Sequence, residues 1–223
     1  MHLRDLIQFL GELSENNNRA WFVMNKPRYD ILRAEFLELV TRLIKDIAKF
    51  DPDVAGCNPK KALFRINRDM RFSHDKSPYK TTFSAAVTAS GLKKPSQGGG
   101  PAYYFHVDKD GTLLIAGGEY MPPADRLRTI RQYVVADAAG FGKMLKNRKL
   151  KEAFGDLQNE GKLQRPPKGF DADAPHVEYL KHKSFIVWKE ISLKKKIPAD
   201  LGKDLVTEFR NAYPLIAWLR QAK

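Results

Sequence analysis

The chain has a single cysteine, Cys57, in 223 residues, so an intramolecular disulfide and a thiolate zinc cluster are both excluded. No stretch approaches the roughly 20 apolar residues that a membrane-spanning helix requires. Arg4, Asp5 and Gln8 interrupt the first residues, so no secretory pattern is read there and the expected setting is the cytosol. Nucleotide-loop signatures are missing too. Gly98-Gly-Gly100 is followed by neither Lys-Thr nor Lys-Ser and lacks dinucleotide-fold spacing. There is no zinc finger, aromatic RNP pattern or clear helix-turn-helix. Ser73 and Ser77 have no nucleophile-elbow context.

Acidic residues are in short supply: 26 Asp+Glu face 39 Lys+Arg, a net charge of +13. A surplus of that size concentrates anions around the molecule without selecting among them. Hydrophobic residues at 43% and charged residues at 29% are ordinary globular composition. The length suits one substantial domain.

Hydrophobic periodicity sets the expected elements. Leu3, Leu6, Ile7, Leu10 and Leu13 recur at helical spacing, and Ser14–Asn18 suits an exit. A second helix is expected from Asn25-Lys-Pro27 to about Phe50, with Tyr29, Leu32, Phe36, Val40, Leu43 and Ile47 as its stripe and Asp51-Pro52 as its stop. The period then changes to two. Ala62, Phe64 and Ile66 predict a strand entering a charged loop, and Phe83, Ala85 and Val87 a strand leaving it. Residues 90–101 read as a flexible connection. Tyr103–Val107 and Thr112–Ala116 flank Asp110-Gly111, a type I′ hairpin signal. With those two as the turn residues, His106 opposes Ile115 and Tyr104 opposes Gly117. Met121-Pro-Pro123 opens another helix, 143–154 continues helical and basic, 164–175 is a surface loop, and Phe185–Trp188 is a strand. Ala199–Arg220 closes the chain as a helix interrupted near Pro214. The expected fold is one α+β domain over residues 1–223, a mainly antiparallel sheet flanked by N-terminal and C-terminal helices.

The charged loop is the most informative stretch. Arg65, Arg68, Arg71, Lys76 and Lys80 surround Asp69 and Asp75, with aromatics including Tyr79 between them. Guanidinium and carboxylate form planar pairs that fix side-chain directions. Residues 60–80 hold seven Lys+Arg and two Asp, so five positive charges have no local partner.

These residues resemble a family of uncharacterised bacterial and fungal proteins classed as a domain of unknown function. The resemblance rests on Asn17-Asn-Arg-Ala-Trp-Phe22 with Tyr29, and on Arg65-Ile-x-Arg-Asp-x-Arg-Phe72. It extends through Asp75-Lys-x-Pro-Tyr-Lys80, Tyr103-Tyr-Phe-His106, Gly117-Gly-Glu-Tyr-Met-Pro122 and Lys183-Ser184. It implies one full-length domain with a common site, and no particular chemistry.

Two functions are carried forward. In the first, a phosphate-bearing ligand, nucleotide or nucleic acid, binds through Arg65, Arg68, Arg71, Lys76, Tyr79 and Lys80, with Tyr104 and Gly117 beside them. In the second, an enzyme acts on a small anionic substrate, with Asp69, Asp75 or His106 moving the proton. An adaptor for an acidic protein is a third. A metal is not expected: Asp69, Asp75, His74, His106 and Glu119 match no ligand spacing, and their positive surroundings oppose a bare cation. No cofactor and no oligomeric state is read. A shared pocket for the basic loop and the Tyr104/His106/Gly117 face favours a small ligand; a flat basic face favours nucleic acid.

Overall fold

The computed structural model describes residues 1–69, 75–89, 99–195 and 197–223. Along the chain run α1 (Leu3–Glu15), α2 (Arg19–Met24), α3 (Lys26–Ala48), α4 (Pro59–Ala62), β1 (Thr82–Thr88), β2 (Ala102–Asp108) and β3 (Thr112–Glu119). They are followed by α5 (Ala124–Ala136), α6 (Ala138–Leu145), α7 (Arg148–Phe154), α8 (Val177–Leu180), β4 (Phe185–Ser192) and α9 (Leu201–Gln221). The strands form an antiparallel sheet in the order β1-β2-β3-β4. This is the α+β domain that the periodicity predicts. No helix among the described residues is long and apolar enough to cross a membrane.

Local chemistry places the helix ends. The side chains of Asn18, Asn58, Asn147 and Asp200 accept a backbone N–H from the first turn of α2, α4, α7 and α9, satisfying donors that a helix start leaves open. The apolar stripe of α3 is buried at all six expected positions. It meets α1, the inward side chains of β1–β3 (Phe83, Ala85, Tyr103, Phe105, Val107, Leu113 and Ile115) and the first half of α9 in one core. A second core lies on another side of α9, where Ala212, Leu215, Trp218 and Leu219 meet α5, α6, α7, α8 and β4. With apolar residues buried throughout its length, α9 is shared by both cores.

Four local expectations are corrected. Residues 62–67 are not a regular strand: Asn58 and Pro59 start the turn of α4 instead, leaving only the bridges Leu63↔Ala85 and Asn67↔Tyr79. Arg19–Met24, to which periodicity assigns no element, is the short helix α2. Pro214 does not interrupt α9; the cost of about 3 kcal/mol for a mid-helix proline is offset by buried residues on either side of it.

The fourth correction concerns the hairpin register. Asp108 Oδ1 accepts from the backbone N–H of Asp110 at 2.9 Å and of Thr112 at 2.7 Å, and Gly111 adopts φ +73°. The loop therefore has three residues, Lys109-Asp110-Gly111, ending in the left-handed glycine that such loops require. Pairing shifts by one: His106 opposes Leu114, Tyr104 opposes Ala116, and Gly117 opposes Tyr103. A one-residue shift exchanges the two faces of a strand, so Gly117 leaves the face that carries Tyr104 and His106.

Candidate functional site

The face of the sheet turned away from both cores carries three cross-strand rows. They are Ser84–His106–Leu114–Glu190, Ala86–Tyr104–Ala116–Trp188 and Thr88–Ala102–Gly118–Ile186. Small residues dominate the centre, and larger side chains rise around Ala86, Ala102, Ala116 and Gly118. The result is a concave cavity of about 560 Å³, closed at its sides by Phe64, Tyr120 and Glu160. That volume lies in the range of small-ligand sites. Beyond Tyr120 and Trp188 the groove continues into a smaller cavity of about 220 Å³ that reaches Lys183 and Ser184.

Tyr104 and His106 are joined on the floor, with Tyr104 Oη 3.1 Å from His106 Nδ1. Burial pushes the Tyr104 hydroxyl above its ordinary pKa. Burial also pushes His106 below its ordinary value, against the opposing pull of Asp108 and Glu190. His106 is therefore neutral at pH 7, with one ring nitrogen able to accept a proton.

The basic segment lies beside this cavity. Phe64, on the cavity wall, packs edge-on against Tyr104 with centroids 6.0 Å apart, and Lys80 Nζ sits 5.6 Å from the centre of the Phe64 ring. Arg68 pairs with Asp75 at 3.0 Å and reaches the Tyr79 carbonyl at 3.4 Å, yet among the described residues its buried Nε has no hydrogen-bond partner. Arg65 and Asp69 approach loosely at 3.9 Å. The N–H of Ser77 donates to Asp75 Oδ1 at 2.9 Å and holds that carboxyl below the usual range. The described part folds back on itself, Arg68 N donating to the Pro78 carbonyl and Lys80 N to the Ile66 carbonyl. Arg71 and His74 lie outside the described residues.

Tyr79 points inward. It is buried, stacks on Phe22 with centroids 4.0 Å apart, and its backbone N–H and C=O exchange hydrogen bonds at 3.0 Å with the amide of Asn17. The Asn17–Phe22 and Asp75–Lys80 motifs are thus two halves of one contact, made between residues 62 apart. A family model described as a conserved hypothetical protein (DUF2461) matches residues 5–218. The chain belongs to that family. No curated protein and no solved structure matches it.

Of the candidate residues, Tyr104 and His106 line the cavity. Arg65, Arg68, Asp69, Asp75, Lys76 and Lys80 belong to the neighbouring segment and do not line it. Gly117 lies on the opposite face, where a Cβ would come 2.6 Å from that of Ala212 on α9; the glycine answers helix–sheet packing. Glu119 is fully buried and clamped by Arg126, which also holds the Leu219 and Ala222 carbonyls at the end of α9. Among the described residues no three His, Cys, Asp or Glu side chains gather as metal ligands. Sequence reasoning missed Phe64, Glu160, Trp188 and Glu190 as lining residues. Trp188 and Glu190 belong to the regular alternation of β4, but only the correct register brings them level with Tyr104 and His106.

Proposed function

We propose that this protein binds a small phosphate-bearing ligand, its organic part in the sheet-face cavity and its phosphate against the basic segment around Arg68, Lys76 and Lys80. The observation that carries this reading is the Lys80–Phe64–Tyr104 contact series, which sets a cation at the cavity's edge. The orphaned Nε of Arg68 supports it, because a buried donor without a partner costs free energy that a ligand oxygen recovers. The concavity favours a small molecule such as a nucleotide over an extended nucleic acid. A cytosolic setting belongs to the same reading, supported by a lone cysteine buried and held as a thiol, its pKa raised by burial.

The hydrogen-bonded Tyr104–His106 pair supports a second reading, in which the ligand is an anionic substrate and His106 accepts its proton. Asp69 and Asp75 do not line the cavity, so His106 alone carries that role among the three candidates.

Calorimetric titration with inorganic phosphate, a mononucleotide and a short single-stranded RNA, at two salt concentrations, tests the proposal. The mononucleotide should bind, and Lys76→Ala and Lys80→Ala should each weaken it several-fold per folded molecule, so that any loss of the Lys80 contact with Phe64 is kept apart from the loss of binding. No detectable wild-type binding in low salt would remove the reading. RNA binding alone, falling steeply with salt, would replace it with nucleic-acid recognition.

A further inference from the structure

Although the protein as a whole carries +13, the charged side chains that line the sheet-face cavity are, among the described residues, Glu160 and Glu190. Over a floor of small and aliphatic residues, the large side chains of the wall are aromatic: Phe64, Tyr104, Tyr120 and Trp188. His106 adds no positive charge at neutral pH, since burial lowers its pKa. Carboxylates standing beside aromatic ring faces suit a cation better than an anion. Lys80 lies on Phe64 at the cavity's edge, not inside it.

Tyr104 and Trp188 flank Ala116 in one cross-strand row, so their backbones stand about 9.6 Å apart, two strand spacings. That gap admits one compact group between two rings. The negative face of an aromatic ring attracts a cation, most strongly where water is excluded, and a carboxylate nearby adds Coulomb attraction.

We propose that the cavity receives a cationic organic group, a quaternary ammonium or protonated amine. It would rest between the Tyr104 and Trp188 rings, with Glu190 and Glu160 supplying the countercharge. This deepens the phosphate-ligand reading by making the ligand a zwitterion, ammonium in the cavity and phosphate toward Lys80, and it rests on that reading only for the phosphate half.

Choline, its neutral isostere 3,3-dimethyl-1-butanol, phosphocholine and inorganic phosphate separate the two halves when titrated calorimetrically into the full chain in low salt. Choline should bind about tenfold or more tighter than the isostere, the size of discrimination that a desolvated cation–π contact supplies. Glu190→Gln, an exposed position whose change leaves folding intact, should lower choline affinity several-fold and leave the isostere unaffected. Trp188→Leu should weaken choline, with the unfolding midpoint measured alongside. Equal binding of choline and isostere, or no choline binding while phosphate or the mononucleotide still binds, overturns the inference and leaves the phosphate reading standing. Choline binding without any phosphate or phosphocholine preference sinks the phosphate reading alone.

Discussion

Tyr104 on β2 and Trp188 on β4 share one face of the sheet with only Ala116 between them. The slot exists because that central residue is small. Ala116→Leu should fill it, abolishing binding of choline or of a nucleotide while leaving the unfolding midpoint unchanged or slightly raised, since the added methyl groups enter open space. Calorimetry and thermal unfolding on the same preparation check both halves. Unaltered binding would remove the slot from the site.

A partly buried ion pair outside the groove ties the end of α3 to the end of α9. Arg220 on α9 meets Asp51, just beyond α3, through two hydrogen bonds of 2.5 and 2.8 Å, and the Tyr103 hydroxyl donates to the same carboxylate at 2.7 Å. Asp51 is only 1% exposed. Burial opposes the Arg220 charge, but Asp51 more than compensates and raises its pKa. Asp51→Ala leaves the half-buried guanidinium with Asp53 alone, at 3.1 Å, and the Tyr103 hydroxyl without its acceptor, so the cost should be about 3 kcal/mol, the low end for a broken buried pair. Urea unfolding should show a drop of that size with ligand binding per folded molecule unchanged.

Much of the fold was legible because its helices advertise themselves. The α3 stripe is buried at every expected position, and Asp110-Gly111 marks a hairpin that forms. What failed was register, which depended on one side chain: Asp108 turns back to accept two backbone N–H groups and lengthens the loop by one residue. From that shift follow the placement of Gly117 under α9 and the recruitment of Trp188 and Glu190 to the cavity. The basic segment was legible as a concentration of charge, but its Tyr79 serves the core through Asn17 and Phe22, a contact across 62 residues that local pattern does not encode. Similarly, Asp51 reads as a helix stop, and its pairing with Arg220 is visible only once α9 has been packed.

Two histidines make stability depend on pH. Burial lowers the pKa of His106, and of His182 beside Lys162 and Arg131. In the unfolded chain both titrate near about 6.5. Below that value the unfolded state binds more protons than the native state, so stability is fully present above it and is lost as pH falls toward the lowered native values. Urea midpoints should therefore decline between about pH 7 and pH 5, and His182→Gln should flatten the slope. A midpoint independent of pH in that window would contradict the burial of these rings.

Gly117 offers a separation of packing from ligand contact. Its missing Cβ makes room for Ala212, so Gly117→Ala should push α9 off the sheet at a cost of about 1–3 kcal/mol, typical of overpacking. Ala212→Gly alone weakens the helix by about 1 kcal/mol. Combined, the two changes restore the space, and the double variant should be more stable than the sum of the single losses, the signature of residues in contact. Choline and phosphate affinities, measured on the folded fraction, should be the same in all three variants because Gly117 faces α9 and not the cavity. Additive losses would deny the contact, and a selective loss of affinity in Gly117→Ala would return this glycine to the ligand site.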